Sequence, residues 1–218
     1  MDLQDLIRSI DWAFLENTLE RLAAVLLCLT VHETCHGLAA YALGDPTARE
    51  HRRLSLNPLR HIDWLGLGMM LVAGFGWARP VPVDPRHFKN PKRGMALTAL
   101  AGPASNFLLA LLAVFLSREV YLHVVAPGPA WAALFEFLLY VLAPLSIGLG
   151  LFNLVPIPPL DGAKVLGAFL PDQAYFGLMR YERYGMLLLL ALSWLGVTGG
   201  FISGAILRVY QFMFELFY

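Results

Sequence analysis

Ionisable residues interrupt an apolar stretch that is long enough to cross a membrane. The stretch 22–43 contains the segment His32-Glu33-Thr34-Cys35-His36 and no other charged residue. A helix of this length spans about 30 Å, which is the thickness of the hydrocarbon core of a bilayer. Burying histidine and glutamate at such a depth is costly, and these residues in membrane helices commonly mark functional sites. The stretch therefore predicts a membrane helix that carries chemistry.

The spacing of the two histidines predicts a metal site. His32 and His36 are four residues apart, so on a helix they share one face and lie about 6 Å apart along the axis. Glu33 lies beside that face, where it can take a proton from a metal-bound water. Zinc lowers the pKa of such a water to about 7. A catalytic zinc usually has three protein ligands and an open position, so a third ligand is expected from elsewhere in the chain.

The composition places the chain among integral membrane proteins. Of its 218 residues, 58% are hydrophobic and the mean hydropathy is +0.61, which is too apolar for a soluble domain of this size. The formal net charge is zero, so the composition gives no indication of nucleic-acid binding. The two cysteines, Cys28 and Cys35, lie about 10 Å apart on one helix, which is too far for a disulfide.

Several apolar stretches predict an all-α integral membrane protein with four to six transmembrane helices. A short run rich in glycine, 64–77, is followed by a segment with two prolines, and together 64–83 is predicted to form a re-entrant or β-hairpin segment on the cytoplasmic side. The stretches long enough to span the bilayer are 22–43, 95–116, 131–155 and 184–207.

The distribution of basic residues predicts the orientation in the membrane. Arginine and lysine are concentrated after the first stretch, on both sides of the short run and after the third stretch. The first 20 residues contain only Arg8 against five acidic residues. By the positive-inside rule, the basic loops are cytoplasmic and the N-terminus lies outside, in a multi-pass protein of the cytoplasmic membrane. The histidine motif then lies in the cytoplasmic leaflet.

The two ends of the chain flank a predicted catalytic core, residues 21–183. Apolar residues recur at helical spacing in the first 20 residues, opposite three aspartates, which predicts an interfacial helix. The C-terminal part, 184–218, is predicted to form one or more helices, and residues 201–218 either lie at the interface or span the membrane. Glycines near the outer end of 184–207 suit close helix packing, a helix end or a mobile gate.

Asp161 is the candidate third ligand that the residues favour. It follows Asn153-Leu154-Val155-Pro156-Ile157-Pro158-Pro159-Leu160, and these prolines end any regular helix after Asn153. Irregular backbone at membrane depth is tolerated where protein or a water-filled cavity surrounds it. The local sequence is equally compatible with an aspartate that caps the helix after it. The third stretch ends on the cytoplasmic side, as the metal motif requires.

Asn106 is predicted to lie at the depth of the metal motif. It follows Gly102-Pro103-Ala104-Ser105 in the second stretch, about 16 Å from the cytoplasmic end. A lone asparagine in a membrane helix often forms a helix–helix hydrogen bond. An asparagine beside a metal site can instead bind the substrate carbonyl or the developing oxyanion.

Three ordered motifs, HETCH, GPASN and NLVPIPPLDG, closely resemble those of the site-2 protease family of intramembrane zinc metalloproteases. The resemblance covers about residues 22–170. No PDZ-like or CBS-like domain is present, so the chain is similar to a compact, core-only prokaryotic member. The resemblance implies one Zn²⁺ per chain, and a general base. The residues implied are the zinc ligands His32, His36 and Asp161, the base Glu33, and substrate or transition-state contacts from Asn106 and Asn153.

The resemblance also implies a function. Family members cut the membrane-spanning helices of membrane-anchored precursors, such as anti-sigma factors, in regulated intramembrane proteolysis, so the expected partners are a transmembrane protein or peptide substrate and the lipid bilayer. One alternative is a membrane zinc protease of the CAAX-processing type, for which Glu182 would be the third ligand. Another is a non-proteolytic metal-binding protein or transporter. The sequence does not predict the oligomeric state.

Overall fold

The apolar stretches fold into long helices. The structure, a computed structural model, describes residues 11–73, 77–123, 128–195 and 197–218. Within these residues the only β pairing is an isolated antiparallel bridge between Ile62 and Ala78. The helices, in chain order, are α1 (Trp12–Ala42), α2 (Thr47–Glu50), α3 (Trp64–Ala73), α4 (Pro91–His123), α5 (Pro129–Glu136), α6 (Ala143–Asn153), α7 (Asp161–Gly167), α8 (Asp172–Arg180), α9 (Glu182–Trp194) and α10 (Val197–Glu215).

Three helical segments are long and apolar enough to cross a membrane, and they contain the first three predicted stretches almost entirely. They are Ala13–Ala42, Pro91–His123 and Pro129–Asn153. The first helix starts early because Asp11 accepts a hydrogen bond from the backbone N–H of Phe14 (3.0 Å) and caps it. Residues 12–20 of the predicted interfacial helix therefore continue into α1, and residues 1–10 lie outside the described residues.

The third spanning segment changes helical form midway. A π-helical turn, Phe137–Leu142, joins α5 to α6. Pro144 follows this turn and has no backbone N–H, so a regular α-helical hydrogen-bond ladder cannot run through it. A single π turn is a common way to accommodate such an interruption within a longer helix.

The fourth predicted stretch, 184–207, is divided between α9 and α10 rather than forming one helix. The described residues thus contain three candidate spans, and the predicted count of four to six is not confirmed. The predicted re-entrant segment contains the ten-residue helix α3 and returns through a single bridge, so a β-hairpin is not confirmed either. The broader prediction of a helical membrane protein agrees with the structure.

The apolar core and the polar site occupy neighbouring levels of the same helices. Small side chains let α1, α4 and the third segment approach closely, as is usual between membrane helices. The two cysteines are free, as predicted, and Cys28 belongs to this core. Along α1 and the third segment, the motif residues come after the core residues in the sequence. Along α4, which runs antiparallel to them, the motif residues come before the core residues. The buried core residues are Ala24, Cys28, Ala110, Ala113, Val114, Leu138, Leu139, Leu142, Ala143, Ile147 and Met213.

Candidate metal centre

Helix α1 brings the two motif histidines to one point. His32 and His36 are buried, and their ring planes are perpendicular (89°) with centroids 4.5 Å apart. Their Nε2 atoms lie 2.9 Å from each other. One helical turn separates the residues, so the predicted common face exists and aims two imidazole nitrogens at the same location.

Asp161 supplies a carboxylate oxygen at the same location. Its Oδ2 lies 3.1 Å from the Nε2 atoms of both His32 and His36. Asp161 is the first residue of α7, but no side-chain hydrogen bond caps this helix. The carboxylate is therefore turned toward the histidines and is not used as a cap.

The chemistry and the spacing of these three donors fit a zinc ion. Two atoms bound to one tetrahedral zinc at about 2.1 Å lie about 3.4 Å apart. The three donors are 2.9–3.1 Å apart, close to that value and consistent with convergence on one ion. They are the one group of metal-binding geometry found among the described residues. Two imidazoles and one carboxylate are a ligand set that zinc uses in catalytic sites, which leaves a fourth position open.

The backbone of α4 orients His36. Its Nδ1 lies 2.7 Å from the carbonyl oxygen of Thr98. A carbonyl oxygen can only accept, so Nδ1 carries the proton and donates it to Thr98. In the neutral imidazole, the lone pair then lies on Nε2, the atom that faces the other donors.

Asn106 contacts His32 at Nδ1, on the side of the ring opposite the Nε2 atom that faces the other donors. Its side chain is fully buried, and its Nδ2 lies 3.0 Å from Nδ1 of His32, while its Oδ1 has no hydrogen-bond partner. The nitrogen and oxygen of an amide are distinguished by their hydrogen bonds rather than by shape. With the amide turned over, the buried Oδ1 accepts from Nδ1 of His32, and the lone pair of that ring lies on Nε2, as it does in His36.

Glycine at position 102 lets α4 approach the histidines this closely. A Cβ atom there would contact Cε1 and Nε2 of His36 and would lie 2.7 Å from Cε1 of His32. Thr98, Gly102 and Asn106 are spaced by four residues, so they form one stripe on α4. This stripe combines two orienting contacts with a central residue that has no side chain.

Glu33 is held by the extended segment 77–83. Its Oε2 accepts a hydrogen bond from the backbone N–H of Val81 (2.9 Å), and the residue is buried. The second carboxylate oxygen, Oε1, has no hydrogen bond to the described residues. Val81 therefore fixes the orientation of the carboxylate and leaves one oxygen able to take a proton.

A cleft of about 270 Å³ opens onto the three donors and Glu33. Asn153 lines it and donates from Nδ2 to the carbonyl oxygen of Leu149 (2.9 Å). Asn106 contacts Nδ1 of His32, on the side of the ring away from the donor atom Nε2. The structure therefore brings Asn106 next to the candidate metal centre but not into the cleft. The other lining residues are His32, Glu33, His36, Pro80, Val81, Val83, Met95, Thr98, Ala99, Pro159, Asp161 and Lys164.

Two backbone contacts in the site were not predicted from the sequence. Thr98 acts through its backbone carbonyl and Val81 through its backbone N–H, so neither side chain carries a signal. Gly102 lay within a recognised motif, and its four-residue spacing from Asn106 was the available clue to a shared helical face.

Comparisons with known proteins agree with this chemistry. A family model described as peptidase family M50 matches residues 21–194. The chain is 38% identical over 168 residues to the putative zinc metalloprotease YwhC of Bacillus subtilis, covering 77% of each protein. It is 29% identical to the putative zinc metalloprotease Rip2 of Mycolicibacterium smegmatis, covering 78% of this chain and 65% of that protein. No solved structure shows a significant match.

Proposed function

Since this chain belongs to peptidase family M50, and is a membrane zinc metalloendopeptidase, we propose that it hydrolyses a peptide bond within or near the transmembrane helix of membrane-anchored substrates. One observation carries this proposal: two of the three donors, His32 and His36, and Glu33 lie within Ala13–Ala42, a helix able to cross a bilayer. A substrate bond must therefore reach the level of the membrane to be cut. The physiological process is then regulated intramembrane proteolysis.

His32, His36 and Asp161 are the proposed ligands of a single zinc ion. Their converging atoms and the lone-pair direction of His36 support this role. A zinc ion held there supplies a Lewis acid that makes water nucleophilic at neutral pH. Asp161 contributes the one negative charge among the three ligands and partly balances that of the ion.

Glu33 is the proposed general base. Oε1 takes the proton of the attacking water, while the Val81 N–H keeps Oε2 in place. The protonated carboxyl group can then give this proton to the nitrogen of the leaving amine. The burial of Glu33 restricts competing water at this step.

The basic loops support a cytoplasmic orientation of the site. Arg52, Arg53 and Arg60 follow α1, and Lys89 and Arg93 flank the start of α4, so the connection between these helices is strongly basic. We place this connection in the cytoplasm, the catalytic cleft in the cytoplasmic leaflet and the N-terminus outside, in the cytoplasmic membrane. A gating role for 184–218 is a separate proposal, and the contacts described in the site do not depend on it.

Asn106 acts in this proposal through His32, and Asn153 contacts the substrate. Replacing Asn106 with leucine is expected to lower zinc affinity about 10- to 100-fold, because the imidazole loses the partner that fixes its tautomer and orientation. Zinc affinity is measured by competition with a chelator. Asn106→Asp keeps an acceptor for Nδ1 and is expected to recover most of the lost affinity.

Asn153→Ala is the matched control for Asn106→Leu. It is expected to leave zinc affinity unchanged and to raise KM, because Asn153 lines the cleft without contacting a proposed ligand. Equal zinc affinity in Asn106→Leu and wild-type protein would contradict the orienting role of Asn106.

The segment 81–83 is the proposed edge on which an unwound substrate pairs. Val81 and Val83 line the cleft, and within an extended segment residues two apart face the same way. The Val83 N–H is not bonded to any described residue, whereas that of Val81 is held by Glu33. A substrate strand pairing with this edge would present its backbone to Glu33 and the donors.

A purified single-span substrate tests the proposal. Mass spectrometry is expected to locate the cut within or near the span, and Val83→Pro is expected to reduce the rate about 10-fold with zinc retained, since proline removes the free N–H. Cleavage confined to a soluble tail would contradict intramembrane cutting and favour the CAAX-processing type. Unchanged turnover in Val83→Pro would contradict the edge.

A further inference from the structure

A second cleft, lined by arginines, lies on the other side of the segment that carries Val81. It has a volume of about 460 Å³, larger than the catalytic cleft, and it contains no acidic residue in its lining. Five of its residues are cationic or can become so. The lining consists of His51, Arg52, Arg53, Leu59, Arg60, Arg79, Pro80 and Pro82.

The arginines of this cleft are held in place by backbone contacts. Nη2 of Arg53 donates to the carbonyl oxygen of Arg79 (2.6 Å), and Nη1 of Arg60 donates to that of Arg52 (2.7 Å). The backbone N–H of Arg79 donates to the carbonyl oxygen of His61 (2.9 Å). Arg52 adopts a left-handed conformation (φ 54°), which is uncommon for a residue with a side chain. This turn allows two consecutive arginines to line one cleft.

The positive charge in the cleft is not compensated within the described residues. None of its arginines, nor His51, forms an ion pair there. Arg53 is only 8% exposed, and its Nε has no hydrogen-bond partner although the residue lines the cleft. Burial and then the nearby Arg79 lower the pKa of Arg53, with Glu33 opposing them. A buried guanidinium charge without an ion-pair partner is costly, and an anion in the cleft would compensate it.

We propose that this cleft binds the phosphate group of an anionic ligand. Guanidinium groups converging from two chain segments suit tetrahedral phosphate oxygens, which accept hydrogen bonds from several directions. The same group is offered by a phospholipid headgroup and by a soluble phosphate ester. Exposed apolar side chains lie between Arg53 and Arg60 and shortly after Arg60 in the chain, as expected where a bilayer surface is near. They are Leu56, Leu59, Trp64 and Leu65.

The cleft is mechanically connected to the catalytic base. Arg53 binds the carbonyl oxygen of Arg79, and two residues later Val81 donates to Glu33. A phosphate that engages Arg53 and Arg79 would restrain the segment between them. We therefore expect ligand binding to slow amide hydrogen exchange across 77–83, a readout that does not depend on proteolysis.

Full-length protein in lipid nanodiscs tests the site in two arms at constant ionic strength. In the first arm, inorganic phosphate and glycerol phosphate are titrated into phosphatidylcholine discs and followed by phosphorus NMR line broadening. In the second arm, discs contain phosphatidylglycerol, and native mass spectrometry counts the anionic lipids that the protein retains. Binding in the first arm identifies a general phosphate site, and retention in the second arm alone identifies a lipid headgroup.

The double variant Arg60→Gln/Arg79→Gln is expected to weaken binding about 10- to 100-fold and to abolish the slowed exchange. Both side chains are at exposed residues, so the fold should tolerate the change. Arg49→Gln/Arg93→Gln removes the same charge outside the cleft and should bind like wild type. Equal losses in the two variants, or no binding in either arm, would overturn the proposal. Binding of an acidic peptide without binding in either phosphate arm would also overturn it.

Discussion

Glu33→Gln protein is expected to keep its zinc and to lose cleavage by about 100- to 10,000-fold, the range associated with removal of a general base. Glutamine preserves the size of the side chain and can still accept the hydrogen bond from the Val81 N–H through its amide oxygen. Its amide nitrogen, which replaces the second carboxylate oxygen, cannot accept a proton from water. Zinc content by elemental analysis and cleavage of a single-span substrate separate these two effects.

Membrane proteomics extends this test to the cell. Cells carrying Glu33→Gln should accumulate single-span fragments that wild-type cells remove. Glu136→Gln is a matched control, because this exposed glutamate lies on α5, away from the cleft. Persistent cleavage with zinc bound would exclude Glu33 as the base. Metal transport that survives the substitution, without any accumulated fragment, would instead support the transporter alternative.

The sequence predicted the site better than it predicted the C-terminal fold. His32 and His36 interrupt an apolar stretch, where burial of ionisable groups has few explanations, and Asp161 was the candidate favoured after the prolines that end the third stretch. The three residues lie together in the structure. Hydropathy alone cannot show whether an apolar stretch such as 184–207 continues as one helix. In the sequence, Gly196, Gly199 and Gly200 are close to the end of α9 and the start of α10, and glycine suits a helix end as well as close packing.

The features that the sequence could not predict depend on backbone groups and on how the helices pack against one another. The contacts from Thr98 to His36 and from Val81 to Glu33 use atoms that every non-proline residue has. Asn106 was correctly placed near the metal motif. Its observed contact is with the side of His32 opposite the donors, and only the packing of α4 against α1 reveals this. Its predicted contact with substrate stays a prediction.

Gly102→Ala is expected to lower zinc affinity and cleavage together, each by about 100-fold, the loss typical of a displacement of about 1 Å at a reacting centre. The added Cβ would overlap the His36 ring and press on His32. Helix α4 cannot retreat without cost, because Thr98 and Asn106 on the same stripe bind these rings. The histidines must therefore turn, and their Nε2 atoms no longer converge with Asp161.

Gly204→Ala separates this steric effect from the general consequences of adding a methyl group to a helix. Gly204 is exposed on α10, and a Cβ there would meet nothing within 4 Å. Alanine is favoured over glycine within helices, so this control should match or slightly exceed wild-type thermal stability with full zinc binding. Zinc affinity is compared by chelator competition and folding by thermal unfolding of zinc-free protein. If Gly102→Ala binds zinc like the control, α4 has room to move, and the orienting contacts of Thr98 and Asn106 do not hold the histidines.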